Sequence, residues 1–370
     1  MAQPEVVVVG SGVVGAAVAW HLARDGAAVT VVEGGALGGR ATPRSWAWIN
    51  ASWGHPEPYV RLRMQAMADW RRMEAEVPGL GASWCGALLW DLPEGDLRAF
   101  VAERQRQGYG IRLVGRAEAA ALEPALADPP PLAAHAPAEG AIEPLEGTQA
   151  ILADAERRGA RLLAGTPVER LLTVGGRVAG VRLADGAELA AVQVVLAAGS
   201  ATPALAAPLG LDVPVDDTAG LLVVTEPAPP LLNGLLVGPG LELRQLRDGR
   251  LLGSGHYAGS DPGAGPQATA DALFAAVRAG LKDGGRLRPG GHVVGRRPMP
   301  RDGLPIVGPA APGLHLAVTH SGVTLAPALG RMVAEEVLTG RRDPLLAPFG
   351  LDRFQRVREA AGSAARPATP

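Results

Sequence analysis

The sequence is poor in several residue types, and each shortage closes off a class of protein. Cys85 is the only cysteine among 370 residues. No intrachain disulfide is available, and no cysteine cluster can hold a metal. Lys282 is the only lysine, so arginine carries nearly all the positive charge. Codon bias in a GC-rich genome accounts for that pattern, and it leaves one candidate for any chemistry that wants a lysine. Charged residues make up 19% and the formal net charge is −2. That balance gives no reason to expect nucleic acid or an anionic membrane surface as a partner. No stretch approaches ~18 uninterrupted apolar residues, so no membrane span is expected. The apolar run Val6–Val9 lies near the start and leads into a Gly-rich turn, unlike a signal peptide. These features read together as a soluble, cytoplasmic protein. Aromatic residues are only 4%, yet Trp46, Trp48 and Trp53 fall close together.

What is present is apolar, at 47%, and long enough for about two domains at roughly 100–200 residues each. Glu5–Val9 is a continuous β-branched run, as in a buried parallel strand. Helix formers follow over Ala16–Arg24, and Ala28–Val32 makes a second buried strand. Residues 36–60 read as loop. Helices are predicted over Val60–Val77, Asp96–Gln107, Gly147–Gly159, Ala268–Leu281 and Thr324–Thr339. Strands are predicted at Leu88–Asp91, Arg161–Leu163, Pro167–Val174, Val178–Leu183, Val192–Ala197, Leu221–Thr225, Leu241–Gln245, Arg250–Gly253 and Leu314–Thr319. The Pro- and Ala-rich stretch 124–140 reads as a connection.

Parallel-type strands at both ends and in the middle imply one nucleotide-binding domain assembled from separated segments, 1–50, 141–214 and 296–360. Residues 51–140 and 215–295 would form a second domain, with 361–370 a flexible tail. The expected fold is α/β: a Rossmann-like domain plus an α+β domain with a mainly antiparallel sheet.

The most informative motif is Gly10-Ser11-Gly12-Val13-Val14-Gly15. Gly10 permits a tight turn, Gly12 lets a pyrophosphate approach the backbone, and Gly15 lets the helix pack on the strand. Phosphates then sit at a positive helix N-terminus. The second strand ends at Glu33, followed by Gly34, and a carboxylate there can accept both ribose hydroxyls of an adenosine. It also disfavours a 2′-phosphate, which argues against NADP. The loop itself does not separate FAD from NAD.

Later segments do. The stretch Thr42-Pro43-Arg44-Ser45-Trp46-Ala47-Trp48, the strand Val192–Gly199, the block "RPMPRDGLPIVG" and the block "SGVTLAPALG" resemble the D-amino-acid oxidase, glycine oxidase and sarcosine oxidase family of FAD enzymes. That family includes bacterial D-amino-acid dehydrogenase small subunits. The resemblance runs through nearly the whole chain. It implies that Gly10–Gly15, Glu33 and Gly34 hold the ADP half of FAD. Arg40, Thr42, Arg44 and Ser45 would line the pyrophosphate and ribityl path, Val168 would face the adenine, and Ala198 and Gly199 would pass the phosphates. Gly322, Val323, Thr324 and Leu325 would present a helix start to the flavin, where a positive dipole end suits the charge of the reduced ring. Arg297 would clamp a substrate carboxylate, a task its fork suits.

The implied chemistry is oxidation of the C–N bond of an amino acid or secondary amine, giving an imine that hydrolyses, with electrons passed to O2. The alternative within the family is a dehydrogenase of opine or D-amino-acid type that passes electrons to a quinone or partner subunit. The ligand is a small amine or amino acid, and a homo-oligomer or a partner subunit is left open. The chain departs from the family at several points. Glu242 stands near the place of a tyrosine that faces the flavin, with Arg244 on the same face of the strand. The two are expected either to pair at the surface or to line the pocket. Cys85 is far from the position of a flavin-linking cysteine, so noncovalent FAD is expected, and no metal. Lys282, on an expected surface helix, does not match the lysine that promotes oxygen reduction. His256 is a candidate substitute or a structural histidine. Trp48, with Trp46 and Trp53, would roof the flavin or pack in the core.

Overall fold

A computed structural model describes residues 5–255, 262, 263 and 265–354. His256 and the expected tail 361–370 lie outside the described residues. The chain divides into two compact units. One takes in residues 5–39, 151–216 and 298–354, the other 40–150 and 217–297. The expected domain bounds differ from these over 40–50 and 141–150.

The first unit is built on a six-stranded sheet. Its order is Ile306–Ala311, Leu314–Val318, Gln193–Leu196, Glu5–Val9, Ala28–Val32 and Arg161–Leu163. All neighbours run parallel except Ile306–Ala311, which closes one edge antiparallel. The valines at 6 to 9 are all buried, because a parallel sheet is covered on both faces. The helix Val13–Arg24 packs along the helix Gly322–Thr339, where a Cβ on Gly330 would stand 2.9 Å from that of Ala17. A three-stranded antiparallel sheet, Val168–Val174, Arg177–Leu183 and Glu188–Ala190, shares an apolar cluster with the main sheet.

The second unit holds an eight-stranded sheet, ordered Pro289–Pro300, Val215–Thr225, Leu251–Ser254, Leu241–Gln245, Leu235–Gly238, Ala87–Leu89, Leu132–Ala136 and Arg112–Gly115. Leu235–Gly238 runs parallel to Ala87–Leu89, whereas the pairings of Leu241–Gln245 and Leu132–Ala136 are antiparallel. One face carries Leu88, Val223, Leu236, Leu243 and Leu251 against Leu273 and Val277 of the helix Pro266–Gly280. The helices Glu57–Glu76 and Glu94–Arg106 complete the unit's larger elements.

Several expectations are corrected. The stretch 124–140 is not merely a connection: Leu132–Ala136 is a strand paired on both sides. Alanine has little strand preference of its own, but Ala133 and Ala134 are fully buried there, and the neighbours impose the conformation. The supposed loop 36–60 contains the short strand Trp48–Ile49, paired with Gly140–Ala141. Lys282 lies past the end of the helix Pro266–Gly280, in a turn where its Nζ donates to the Pro124 carbonyl at 2.6 Å. Among the described residues, no helix is long and apolar enough to cross a membrane, and no group of His, Cys, Asp and Glu is arranged to hold a metal ion.

Candidate active site

In the first unit the strand Glu5–Val9 ends at Gly10, whose φ of 103° is a region that side chains avoid. A Cβ on Gly10 would run into the Ala197 carbonyl, and one on Gly15 would run into the Gly10 carbonyl. The loop is as tight as its glycines allow. Gly12 caps the helix Val13–Arg24 without a side chain, which leaves the positive helix end to an anion. Glu33, almost buried, accepts Ser11 N–H and Ser11 Oγ–H on one oxygen, both at 2.9 Å, and Gly35 N–H on the other at 3.0 Å. A carboxylate has about four acceptor positions, so one remains for a ribose hydroxyl.

Other expected cofactor residues gather round this loop. The Glu33 carbonyl accepts Thr166 N–H at 2.8 Å, and Gly34 sits 3.5 Å from Pro167 (measured to an added Cβ), so the segment leading into Val168 lies against Glu33 and Gly34. Ala198 approaches Gly10, and Gly199 follows with φ 56°. Gly322 starts its helix against Val14, with 3.3 Å from an added Cβ to Val14 Cγ2. Val323, Thr324 and Leu325 are buried in its first turn. Two helix N-termini therefore converge at the carboxyl ends of parallel strands, the place where open α/β sheets bind dinucleotides. The residues present fit the ADP portion of FAD.

The remaining expected residues belong to the second unit. Arg40 and Arg44 are exposed, and Arg44 Nη1 donates to the Arg40 carbonyl at 2.8 Å. Thr42 is buried in a short 3-10 turn. Ser45 Oγ accepts Ala47 N–H at 3.0 Å and supports Ala47 at φ 61°, unusual for a residue with a side chain. Trp46 and Trp48 meet edge to face at 5.5 Å, and Trp46 Nε1 donates to the Leu252 carbonyl at 3.3 Å. Trp53 instead packs on Phe100.

The face of the large sheet opposite its apolar cluster carries two charged side chains, Glu242 and Arg244. The register sets Glu242 between Val237 and Ser254, and Arg244 opposite Leu252. Both are buried, which excludes the surface pair, one of the two expected alternatives. No hydrogen bond or ion pair joins them among the described residues. Arg244 Nη1 donates to the Ile142 carbonyl at 3.1 Å, and its Nη2 stands 3.6 Å from Glu143 Oε2. The Glu242 carboxyl takes no hydrogen bond among the described residues. Burial pushes its carboxyl up to about 8; Asp91 adds to the rise and Arg297 opposes it.

Arg297 donates from Nη2 to the Ala219 carbonyl at 2.6 Å, while its Nε and Nη1 are buried without a partner among the described residues. Burial lowers its pKa and Glu242 pushes it back up. Its neighbours are already engaged: Arg296 with Asp217 at 3.0 Å, Arg301 with Asp216 at 3.5 Å. Arg297 is thus the arginine of this run with donors to spare. Sequence reasoning missed Asp91 and Glu143. Both lie far along the chain from Glu242 and Arg244, and no local pattern joins them.

Residues 5–336 match the DAO family, described as FAD dependent oxidoreductase. The chain belongs to that family. This FAD-dependent oxidoreductase is 30% identical to a D-amino acid dehydrogenase of Paramagnetospirillum magneticum, over 95% of the chain and 99% of that protein. It is 27% identical to an opine oxidase subunit of Agrobacterium tumefaciens, over 96% of the chain and 98% of that protein. Among solved structures it resembles glycine oxidase from Geobacillus kaustophilus, with a TM-score of 0.85 and 26% identity, over 95% of this chain and 99% of that one. The flavoenzyme therefore acts in amino-acid or amine oxidation or dehydrogenation.

Proposed function

We propose that the protein oxidises the C–N bond of an amino acid, including glycine, D-amino acids and N-substituted amino acids. The observation that carries this is the buried Glu242 carboxyl beside the charge of the half-buried Arg297. Arg297 keeps two nitrogens without acceptors, the state of a clamp awaiting a carboxylate. The Glu242 carboxyl, close enough to feel that charge, has no hydrogen bond among the described residues. Bound FAD, held noncovalently, supplies the acceptor for a hydride. The chain's part is to fix the substrate carboxylate on Arg297, to take the ammonium proton on ionised Glu242, and to exclude water from both. Loss of the proton leaves the neutral amine whose α-C–H bond can be cleaved, and the imine product hydrolyses. A single thiol and no bridge suit the reducing cytoplasm. A screen of D-, L- and N-methyl amino acids and opines, following anaerobic bleaching of the flavin, tests the proposal. If no amino acid bleaches it, the reading is wrong.

The electron acceptor divides two readings. In the first, electrons pass to O2. The second, a dehydrogenase feeding a quinone or a partner subunit, is favoured by one observation: the only lysine is anchored on the Pro124 carbonyl, so no lysine serves oxygen reduction. The name of the Paramagnetospirillum magneticum relative, a dehydrogenase, supports it as well, and the word subunit in the name of the Agrobacterium tumefaciens relative, an oxidase, supports a partner. Oxygen uptake with peroxide release selects the first reading; a reduced flavin that persists in air selects the second.

A further inference from the structure

The second unit contains a cavity of about 480 Å³ that none of the chemistry above uses. Its walls include Ser83, Cys85, Glu143, Asn233 and Arg244, and neither Glu242 nor Arg297. A volume of this size suits a small ligand. Two of its groups are left with unmet bonding capacity. Arg244 is buried, and its Nε and Nη2 have no hydrogen-bond partner among the described residues. Those two nitrogens share one edge of the guanidinium, the edge that meets a carboxylate with two parallel bonds. The Glu143 carboxylate faces it at 3.6 Å, close enough to attract but too far for a hydrogen bond. A plain anion would be repelled by Glu143, and a plain cation by Arg244. The other charges of the lining are occupied: Arg247 donates to the Gly81 carbonyl, and Asp248 pairs with Arg250.

We propose that this cavity is a second binding site, for a small zwitterion of the α-amino-acid class, with the carboxylate on the Nε–Nη2 edge of Arg244 and the ammonium on Glu143. The site is separate from the Arg297 clamp and does not depend on the reaction assigned above.

Cys85 supplies the assay, since it lines the cavity, is exposed and is the only thiol. The rate of its modification by a disulfide reagent is measured on the holoenzyme with alanine, with acetate (the carboxylate alone) and with ethylamine (the amine alone). Alanine is expected to slow modification saturably, about tenfold at ~10 Kd, since bound protein is shielded in proportion to occupancy. Acetate should protect weakly and ethylamine not at all. Protection should vanish in Arg244→Lys, which keeps the charge but loses the fork, weaken at least about tenfold in Glu143→Gln, and survive in Arg297→Ala. Absence of protection by alanine, its loss in Arg297→Ala, or its persistence in Arg244→Lys overturns the proposal. Calorimetric titration of the Arg297→Ala holoenzyme with alanine gives the same decision independently of thiol reactivity: binding heat supports the second site and its absence rejects it. Failure of the flavin to bleach with any amino acid would leave this result untouched, so the two proposals fail separately.

Discussion

Glu242→Gln should make the folded protein more stable at alkaline pH and leave it nearly unchanged at acid pH. In the unfolded chain this carboxyl has an ordinary value near 4.5; in the folded protein burial, reinforced by Asp91, carries it to about 8 against the pull of Arg297. Between those values the folded state binds the proton and the unfolded state does not. Stability from this group is therefore greatest below pH 4.5, falls as the pH rises, and levels off above about 8. At about 1.4 kcal/mol for each pH unit, the whole interval amounts to no more than about 5 kcal/mol. Glutamine has nearly the shape of the protonated acid and no charge to lose. At pH 5 the two proteins should agree within about 1 kcal/mol. At pH 9 the variant should lead by a few kcal/mol, seen as a higher Tm. Thermal unfolding of both holoproteins across pH 5–9, followed by far-UV circular dichroism, measures it. The comparison has to be made at each pH, because Glu123 and Glu139 are also pushed up by burial and tilt the wild-type curve in the same direction. A difference that stays constant from pH 5 to 9 would refute the buried, proton-holding Glu242.

Arg297→Ala should raise KM for the amino acid that bleaches the flavin by about 30- to 150-fold, the worth of a charge-assisted contact of roughly 2–3 kcal/mol; an unchanged KM in steady-state kinetics removes the clamp assignment. The same variant frees Glu242 from the nearby positive charge, so any activity limb governed by Glu242 should move to higher pH in a kcat/KM profile. Gly10→Ala should yield protein lacking the flavin absorbance band, since the added methyl meets the Ala197 carbonyl and the backbone at φ 103° resists it; full flavin content would contradict the cradle. Tyr109→Phe should cost about 1–3 kcal/mol, read as a lower Tm, because the Tyr109 hydroxyl donates at 2.6 Å to the fully buried Glu139, which would lose that donor.

The sequence was most legible where local chemistry and global position agree. The run Glu5–Val9, the glycine loop and Glu33 could be read because a parallel strand is apolar throughout and a tight turn admits only glycine. The same holds for the helix opened by Gly322. The sheet of the second unit was harder. Leu132–Ala136 carries too little side chain to announce a strand and takes its conformation from both neighbours. Glu242 and Arg244 were correctly placed on one face by alternation, yet alternation with polar residues ordinarily marks the solvent side. Their burial depends on what covers that face, which lies elsewhere in the chain. The partners Asp91 and Glu143 stand about 100 positions or more away from them and could be found only in three dimensions.

Two arginines with buried, unmet donors, Arg244 buried whole and Arg297 in part, raise a question that packing does not answer. Removing a guanidinium from water costs several kcal/mol, and the cost stands when the donors find no acceptor. Arg244 offers Nε and Nη2 and Arg297 offers Nε and Nη1 to nothing among the described residues. Elsewhere the chain pairs its arginines readily, as Arg342 shows by bonding Glu336 and two carbonyls, and as Arg104 shows with the carbonyls of Ser52 and Gly54. So the fold can satisfy a buried arginine, and it leaves these two, on one sheet, unsatisfied. Apolar residues of similar volume would pack the same positions at lower cost. Residues that break the local rule without a structural gain are where ligand chemistry is expected. On this argument, each arginine marks a place where an anionic group completes the structure: the reacting carboxylate at Arg297, and a second one at Arg244.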